Sequence, residues 1–509
     1  MYIRRKQNKS GSTSIYIVEK QNGKQILIKS MGAAIKEYEI LRLEQLAQEE
    51  ISKLTKQTEL QFDYQSDQQH IKHLANSISS VRVVGTELVL VKIFNEIGFN
   101  QIPDKLFRDL VITRLVYPGS KLRTIEYLSR HYQEHYSTST VYRYLDKLNT
   151  DDKEKVQQIS FNHTLNLFDG VLATVFYDVS TLYFETSKED ELRKIGFSKD
   201  GKTQNPQIVL GLLVSTGGYP LAFEMFEGNK YEGETLITVL DAFKKTYSLE
   251  KLIVVADAGL LSNKNITLLK QKKYEFVLGA RIKNSTNELQ QKIISKKWKE
   301  QSINELEQNQ ERLIISYSEK RAKKDAYNRE KGIQRLKKRI KSGKLTKENI
   351  NNRGYNKYLK IEGKATVKLD LSKEESDKKW DGLKGYLTNS LLPAKEIIEK
   401  YRELWQIEKA FRISKTDLKV RPIYHYKADR IKAHLIISFS SYKLYKELER
   451  QLKEKQTGLS PEKALDILKS IYGIATILPT SGLLKHIILA KTEEQKNILN
   501  AFEIEFYSR

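Results

Sequence analysis

Three carboxylates stand where an unpaired charge would be costly. Asp178 closes the apolar run VLATVFYD, Asp257 closes KLIVVAD, and Glu408 lies in the amphipathic stretch YRELWQIEKAFRISK. A carboxylate at the end of a buried strand loses hydration unless a cation or hydrogen-bond donors meet it. A divalent cation would meet both aspartates at once. Strand-end aspartates also serve as turn formers and helix caps, and this pattern alone leaves that reading open. In the third stretch Tyr401, Glu408 and Lys415 recur at seven-residue spacing, on one helical stripe, with Trp405 and Arg412 flanking Glu408. A solvated Glu408–Arg412 pair, worth roughly a few tenths of a kcal/mol, is the plainer account. A carboxylate facing the strand ends, with cations beside it for phosphates, accounts as well for Trp405, Ile407 and Phe411, which require close packing. The chain has no cysteine, so disulfides, zinc–thiolate sites and thiol nucleophiles are excluded.

These residues need a sheet to converge. Residues 171–282 read as three strands, a helix, a strand, a helix and a strand, with Asp178 on the first strand and Asp257 on the fourth. QIVLGLLV and YPLAFEMF are two strands turning at Gly217-Gly218. Strands alternating with helices imply a parallel portion of sheet, and ligands gather at the carboxyl ends of parallel strands.

Around this core the pattern changes. The first 30 residues alternate apolar and polar about QNGK, whose Asn-Gly marks a hairpin, and a charged helical pattern begins near Ala33. Residues 85–150 read as short helices; SKLRTIEYLSRHY and STSTVYRYLDKL have the spacing of a helix-turn-helix presenting Tyr142, Arg143 and Lys147, or of a plain packing unit. From Glu319 to Lys364 there are 17 Lys/Arg against 5 Asp/Glu, a surplus of 12 that is half of the chain's +24. Such a surplus asks for a polyanion, nucleic acid before membrane, and Lys337, Lys338 and Arg339 are its densest cluster. No apolar run approaches the ~18 residues of a membrane span, so a cytoplasmic protein is expected. The tail, 461–509, reads as a smaller helical unit.

Taken together, GFSKDGKTQNPQIVLGLLVSTGGYPLAFEMFEGN, ADAGLLS and YRELWQIEKAFRISKTDL resemble bacterial insertion-sequence DDE transposases of the cut-and-paste class, over roughly residues 100–450. Their signature Tyr-x2-Arg-x3-Glu-x6-Lys is met by Tyr401, Glu408 and Lys415; its Arg position is Leu404, with Arg402 or Arg412 as stand-ins. The resemblance implies an α/β fold: an RNase H-like mixed-sheet catalytic core with a basic insertion and helical N- and C-terminal regions. The expected blocks are an N-terminal hairpin and helix (1–80), a helical DNA-binding region (81–165), the first part of the core (166–282), the basic insertion (283–390), the second part with the Glu408 helix (391–450) and a helical tail (451–509). Asp178, Asp257 and Glu408 would be both catalytic residues and metal ligands, holding two Mg²⁺ ions, with Mn²⁺ as a substitute. Tyr401, Arg412 and Lys415 would hold the DNA strand, and Trp405 and Trp380 would stack on an unpaired base, core packing being the alternative for each tryptophan. The partners implied are double-stranded DNA, as element ends and target, and a second copy of the chain on paired ends, acting at the bacterial nucleoid. Glu185, near Asp178, competes with Glu408 only by proximity, and His425 and His434 read as structural. Two rivals are a non-transposing nuclease on the same fold and an inactive DNA-binding protein from a decayed element.

Overall fold

The computed structural model describes residues 1–507 apart from 22, 56–63, 248–251, 261, 310, 344, 346–349, 352–353, 363–365 and 479–480. The chain forms two compact units. One comprises Met1–Glu96, Lys121–Thr138 and Glu447–Arg509; the other comprises Ile97–Ser120 and Ser139–Lys446.

The first unit opens with β1 (Tyr2–Gln7), β2 (Thr13–Gln21) and β3 (Lys24–Ala34), an antiparallel sheet in that order. Gly23 turns the β2–β3 hairpin at φ 80°, while Asn22 of the expected Asn-Gly lies outside the described residues. The helix Glu37–Thr55 packs Ile40, Ala47 and Ile51 onto Ile15 and Ile17 of one sheet face. A single strand, β4 (Ile78–Val83), follows.

The second unit is built on one large sheet. Its first strands are β5 (Thr174–Tyr183), β6 (Gln207–Ser215), β7 (Pro220–Glu227), β8 (Ile253–Ala256) and β9 (Glu275–Ala280), interrupted by the helices Thr235–Tyr247 and Asn263–Gln271 as the sequence pattern predicts. Strands β5, β8 and β9 run parallel, and β6 and β7 add antiparallel beyond β5. Every residue of β6 is buried, which is why its run QIVLGLLVS is continuous rather than alternating.

Residues 283–390 depart from expectation. They are not wholly an insertion outside the sheet. Strands β10 (Ile303–Gln308) and β11 (Glu311–Tyr317) extend it, β12 (Leu359–Glu362) and β13 (Thr366–Leu369) form a separate antiparallel two-stranded sheet, and β14 (Leu383–Thr388) joins β11 to β9. The full order is β10-β11-β14-β9-β8-β5-β6-β7. The apolar residues Leu313, Ile315, Leu383 and Leu387 of this region belong to the same core as Val175 and Val254, so hydrophobic burial draws the strands in despite their distance along the chain. Two thirds of the surplus, 11 Lys/Arg against 3 Asp/Glu, rides on the helix Glu319–Lys341, which dips Ile333 and Leu336 into a small core with Tyr358, Leu359 and Val367.

The expected helical tail is also corrected. Between the helices Pro461–Leu468 and Glu493–Ala501 lie β15 (Tyr472–Ile477) and β16 (Leu484–Leu489), in a sheet ordered β16-β15-β4. Its β-branched segments YGIATI and LKHIIL favour strands, and pairing with β4, nearly 400 residues earlier, cannot be read from local pattern. Likewise, the two helices read as a helix-turn-helix fall in different units. Among the described residues no helix is long and apolar enough to cross a membrane.

Candidate active site

The sheet register brings the two aspartates level. In the parallel β5–β8 pair the last partners are Tyr177 and Ala256, and the residues that follow them are Asp178 and Asp257. Asp257 therefore leaves the end of β8 as expected, whereas Asp178 lies mid-strand, because β5 continues along antiparallel β6 after β8 has stopped. Asp178 interrupts an otherwise buried run, with its side chain 23 % exposed. Burial pushes its carboxyl up to about 6, opposed by Lys199 and the Val179 backbone N–H and reinforced by Glu232 and Asp257.

The expected single helix carrying Tyr401, Glu408 and Lys415 is broken. One helix runs Ala394–Arg402 and a second Trp405–Arg412; between them Leu404 and Gln406 close tight bonds back to Tyr401 and Glu403. The turn Ile413–Asp417 then widens to a π-helix, a form often found at functional sites. The first helix packs against β8, β9 and β14, and the second against β5 and β6. Buried Tyr401 donates from its hydroxyl to Asp257 Oδ1 at 3.1 Å, so it holds the carboxylate directly. Burial raises its pKa, and the Asp257 charge adds to this. Gly279 on β9 makes the contact possible, since any Cβ there would collide with the Tyr401 hydroxyl. Glu408 is exposed, and its charge and that of Asp257 both reach the ammonium of Lys384.

Two lysines in this region were missed by sequence reasoning. Lys199, in the loop before β6, lies 3.6 Å from Asp178 Oδ1 and 3.0 Å from Glu232 Oε1, and donates to the Val179 carbonyl at 2.7 Å. Lys384 of β14 lies over the Tyr401 ring at 4.3 Å, its pKa lowered by burial and by Arg321 against the pull of Asp257 and Glu408. Neither has a local signal, since each is one lysine among many in loops and strands. Glu232 was missed too. It is the carboxylate that shares a cation with Asp178, while Glu185 is exposed.

Lys415 is turned onto Asp200, at 3.2 Å, beside Arg421, with its side chain 10 % exposed. Arg412 is exposed. Trp405 is 51 % exposed, whereas Trp380 at 6 % belongs to the main core, and that burial removes it as a stacking platform. Arg143 is exposed, but Tyr142 beside it is covered by Arg430, which also grips Asp146 at 2.6 Å. Lys337, Lys338 and Arg339 are all exposed on the basic helix. His425 and His434 are buried with ring centroids 5.6 Å apart, consistent with packing roles.

Against known families, residues 172–444 match the model described as Transposase DDE domain. The match spans more than half of the chain and includes all three carboxylates. The chain belongs to this transposase family. It is 25 % identical over 382 residues to the transposase for insertion sequence element IS1151 of Clostridium perfringens, covering 68 % of this chain and 78 % of that one. Two solved structures share partial likeness: a piggyBac transposase synaptic complex with hairpin DNA (10 % identity, 71 % of this chain and 68 % of that chain, TM-score 0.37) and a Mos1 transposase paired-end complex with the left transposon end (12 %, 31 % and 53 %, TM-score 0.16). The chain is an insertion-sequence DDE transposase, and its function is DNA transposition.

Proposed function

We propose that this transposase cuts phosphodiester bonds at its element's ends and joins the freed 3′-hydroxyl to target DNA, using Asp178, Asp257 and Glu408. The observation that carries this reading is the register that sets Asp178 and Asp257 side by side in the matched domain, with the Glu408 helix packed on the strand of Asp178. The strand sequence, three antiparallel and then two parallel to the first, supports an RNase H-like core.

The donor set fits divalent metal. Asp178 is held above its usual range by burial and by neighbouring carboxylates, and cationic lysines already lie against it and near Asp257 and Glu408. Among the described residues no three such side chains are grouped to hold an ion as they stand, and Lys199 lies 3.6 Å from Asp178, where it would compete with one. Mg²⁺, two ions with Mn²⁺ as substitute, would be held by Asp178, Asp257 and Glu408; when bound, such ions activate the attacking oxygen and stabilise the leaving one. Tyr401 fixes the Asp257 carboxylate. Arg412 and Trp405, both exposed beside Glu408, receive a phosphate and an unstacked base. Lys415 holds Asp200 and Arg421 in place at the edge of the site. The active assembly is a homodimer on paired ends, working on double-stranded DNA at the bacterial nucleoid.

The test is a Mg²⁺ cleavage and strand-transfer assay on duplexes carrying the element's ends. Asp178→Asn should lower cleavage by at least about 10³-fold, the scale seen when a group acting in the reaction is removed, while end binding persists. Cleavage retained in that variant, or nicking by the wild type without strand transfer, would overturn the reading.

A further inference from the structure

The N-terminal sheet has two unlike faces. Residues 1–34 hold seven Lys/Arg against one acid, a surplus of 6, and the helix Glu37–Thr55 holds five acids against two bases. On the face covered by that helix the cations are matched. Arg5 is bound by Glu44 at 2.5 Å and by Glu37 at 3.2 Å, and Lys29 by Glu50 at 2.6 Å.

Alternation of side chains puts a second set on the opposite face. Cross-strand partners there are Arg4, Tyr16 and Ser30 in one row, Lys6 and a buried Ser14 in the next, and Tyr2, a buried Val18 and an exposed Leu27 on the other side. Lys20 and Gln25 pair near the hairpin, and away from it the flanking strands carry most of what this face exposes. Arg4, Lys6 and Lys20 are exposed, and none has a carboxylate partner among the described residues. Arg4 instead donates to Gln25 Oε1 at 2.6 Å, and Gln25 donates to the Tyr2 hydroxyl at 2.6 Å. A chain of hydrogen bonds thus fixes a guanidinium and an amide across the strands, and these are the two groups best shaped for bidentate contact with purine edges.

We infer that this open face docks into the major groove of B-form DNA and contributes to recognition of the element's ends. Three strands ~4.8 Å apart present a surface roughly 10 Å wide, which suits a major groove about 12 Å wide. Arg4, Lys6 and Lys20 would meet phosphates or base edges, while Gln25 and Tyr16 contribute contacts that depend on sequence. The A-form groove of duplex RNA is too narrow for such a sheet. This role is separate from the three carboxylates and from the basic helix Glu319–Lys341.

The experiment is fluorescence-anisotropy binding of the full chain in EDTA across a salt series, so that the outcome does not depend on the catalytic reading. The probes are an element-end duplex, a random DNA duplex and an RNA duplex of equal length. Arg4→Ala/Lys6→Ala/Lys20→Ala should lower the slope of log affinity against log salt by two to three units, since each phosphate that a cation neutralises adds about 0.9 to it. Affinity for the end should fall at least ~30-fold at physiological salt. Gln25→Ala, which leaves charge unchanged, should narrow the end-to-random ratio by about 10-fold. Lys29→Ala/Glu50→Ala, on the covered face, should change neither slope nor ratio. Lys20→Ala alone, at an exposed strand end, should lower the slope by about 0.9 and serves if the triple variant fails to fold. An unchanged slope in folded open-face variants, an equal loss in the covered-face pair, or equal binding of the RNA duplex would overturn the inference.

Discussion

The lysines and arginines of the catalytic unit are used in two opposite ways. Around Asp178, Asp257 and Glu408, cations are few, partly buried and each set against a carboxylate: Lys199 against Asp178 and Glu232, Lys384 near Asp257 and Glu408, Lys415 and Arg421 on Asp200. On the helix Glu319–Lys341, cations are many, and Lys337, Lys338 and Arg339 stand exposed on a face that buries nothing. In the first region Asp178, Lys199 and Lys415 are partly buried, where a charge acts more strongly than in open solvent, so position matters more than number. In the second, solvent weakens each charge and only their sum is felt by a partner, which is the regime of phosphate-backbone binding. One residue type is thus held singly against carboxylates in one place and massed in solvent in the other.

The comparison breaks most readily at the basic helix. Reversing Lys337, Lys338 and Arg339 to Glu should lower affinity for cognate and random duplexes alike, by about 10² to 10³-fold at physiological salt, with the salt slope reduced by roughly three. Circular dichroism should show an unchanged fold, since none of the three side chains is buried. Wild-type affinity for both duplexes at every salt would remove this helix from the DNA-binding surface.

Asp178 tests the other region through stability. Its carboxyl, pushed up to about 6 by burial, binds a proton more tightly in the folded chain than in the unfolded one. Folding is therefore favoured below the ordinary carboxylate range, and that advantage is lost as pH rises from about 4 through 6. In metal-free protein, Asp178→Asn should be more stable than wild type by about 1 to 3 kcal/mol at pH 8, and equal to it near pH 3.5. Added Mg²⁺ should raise the melting temperature of wild type more than that of the variant, because only wild type gains the bound cation. A melting-temperature difference independent of pH would show that the Asp178 charge is not under strain.

The smallest effect belongs to Lys415. Because it is neutralised by Asp200, Lys415→Ala should reduce the salt slope of end binding by less than one unit while lowering the melting temperature by a few degrees. A full unit of slope removed without any thermal change would make Lys415 a direct phosphate ligand rather than a support for Asp200 and Arg421.

The strand and helix order from Thr174 to Ala280 was legible in the amino-acid sequence, because continuous apolar runs and helical spacing are local properties and each spans about one element. The sequence also showed which carboxylates stand at risk of desolvation, since Asp178 and Asp257 are each preceded by buried apolar residues. Long-range packing set these two level, brought Tyr401 to Asp257, and placed Lys199, Glu232 and Lys384 beside the carboxylates. It also widened the core sheet with β10, β11 and β14, and paired β4 with β15. The reason is range. Apolar patterning acts through neighbours three or four positions away, whereas a salt bridge or a strand pairing joins segments tens to hundreds of residues apart. Which lysine among 88 basic residues meets which carboxylate is settled by the register of the sheet, and that register depends on every strand packed in it.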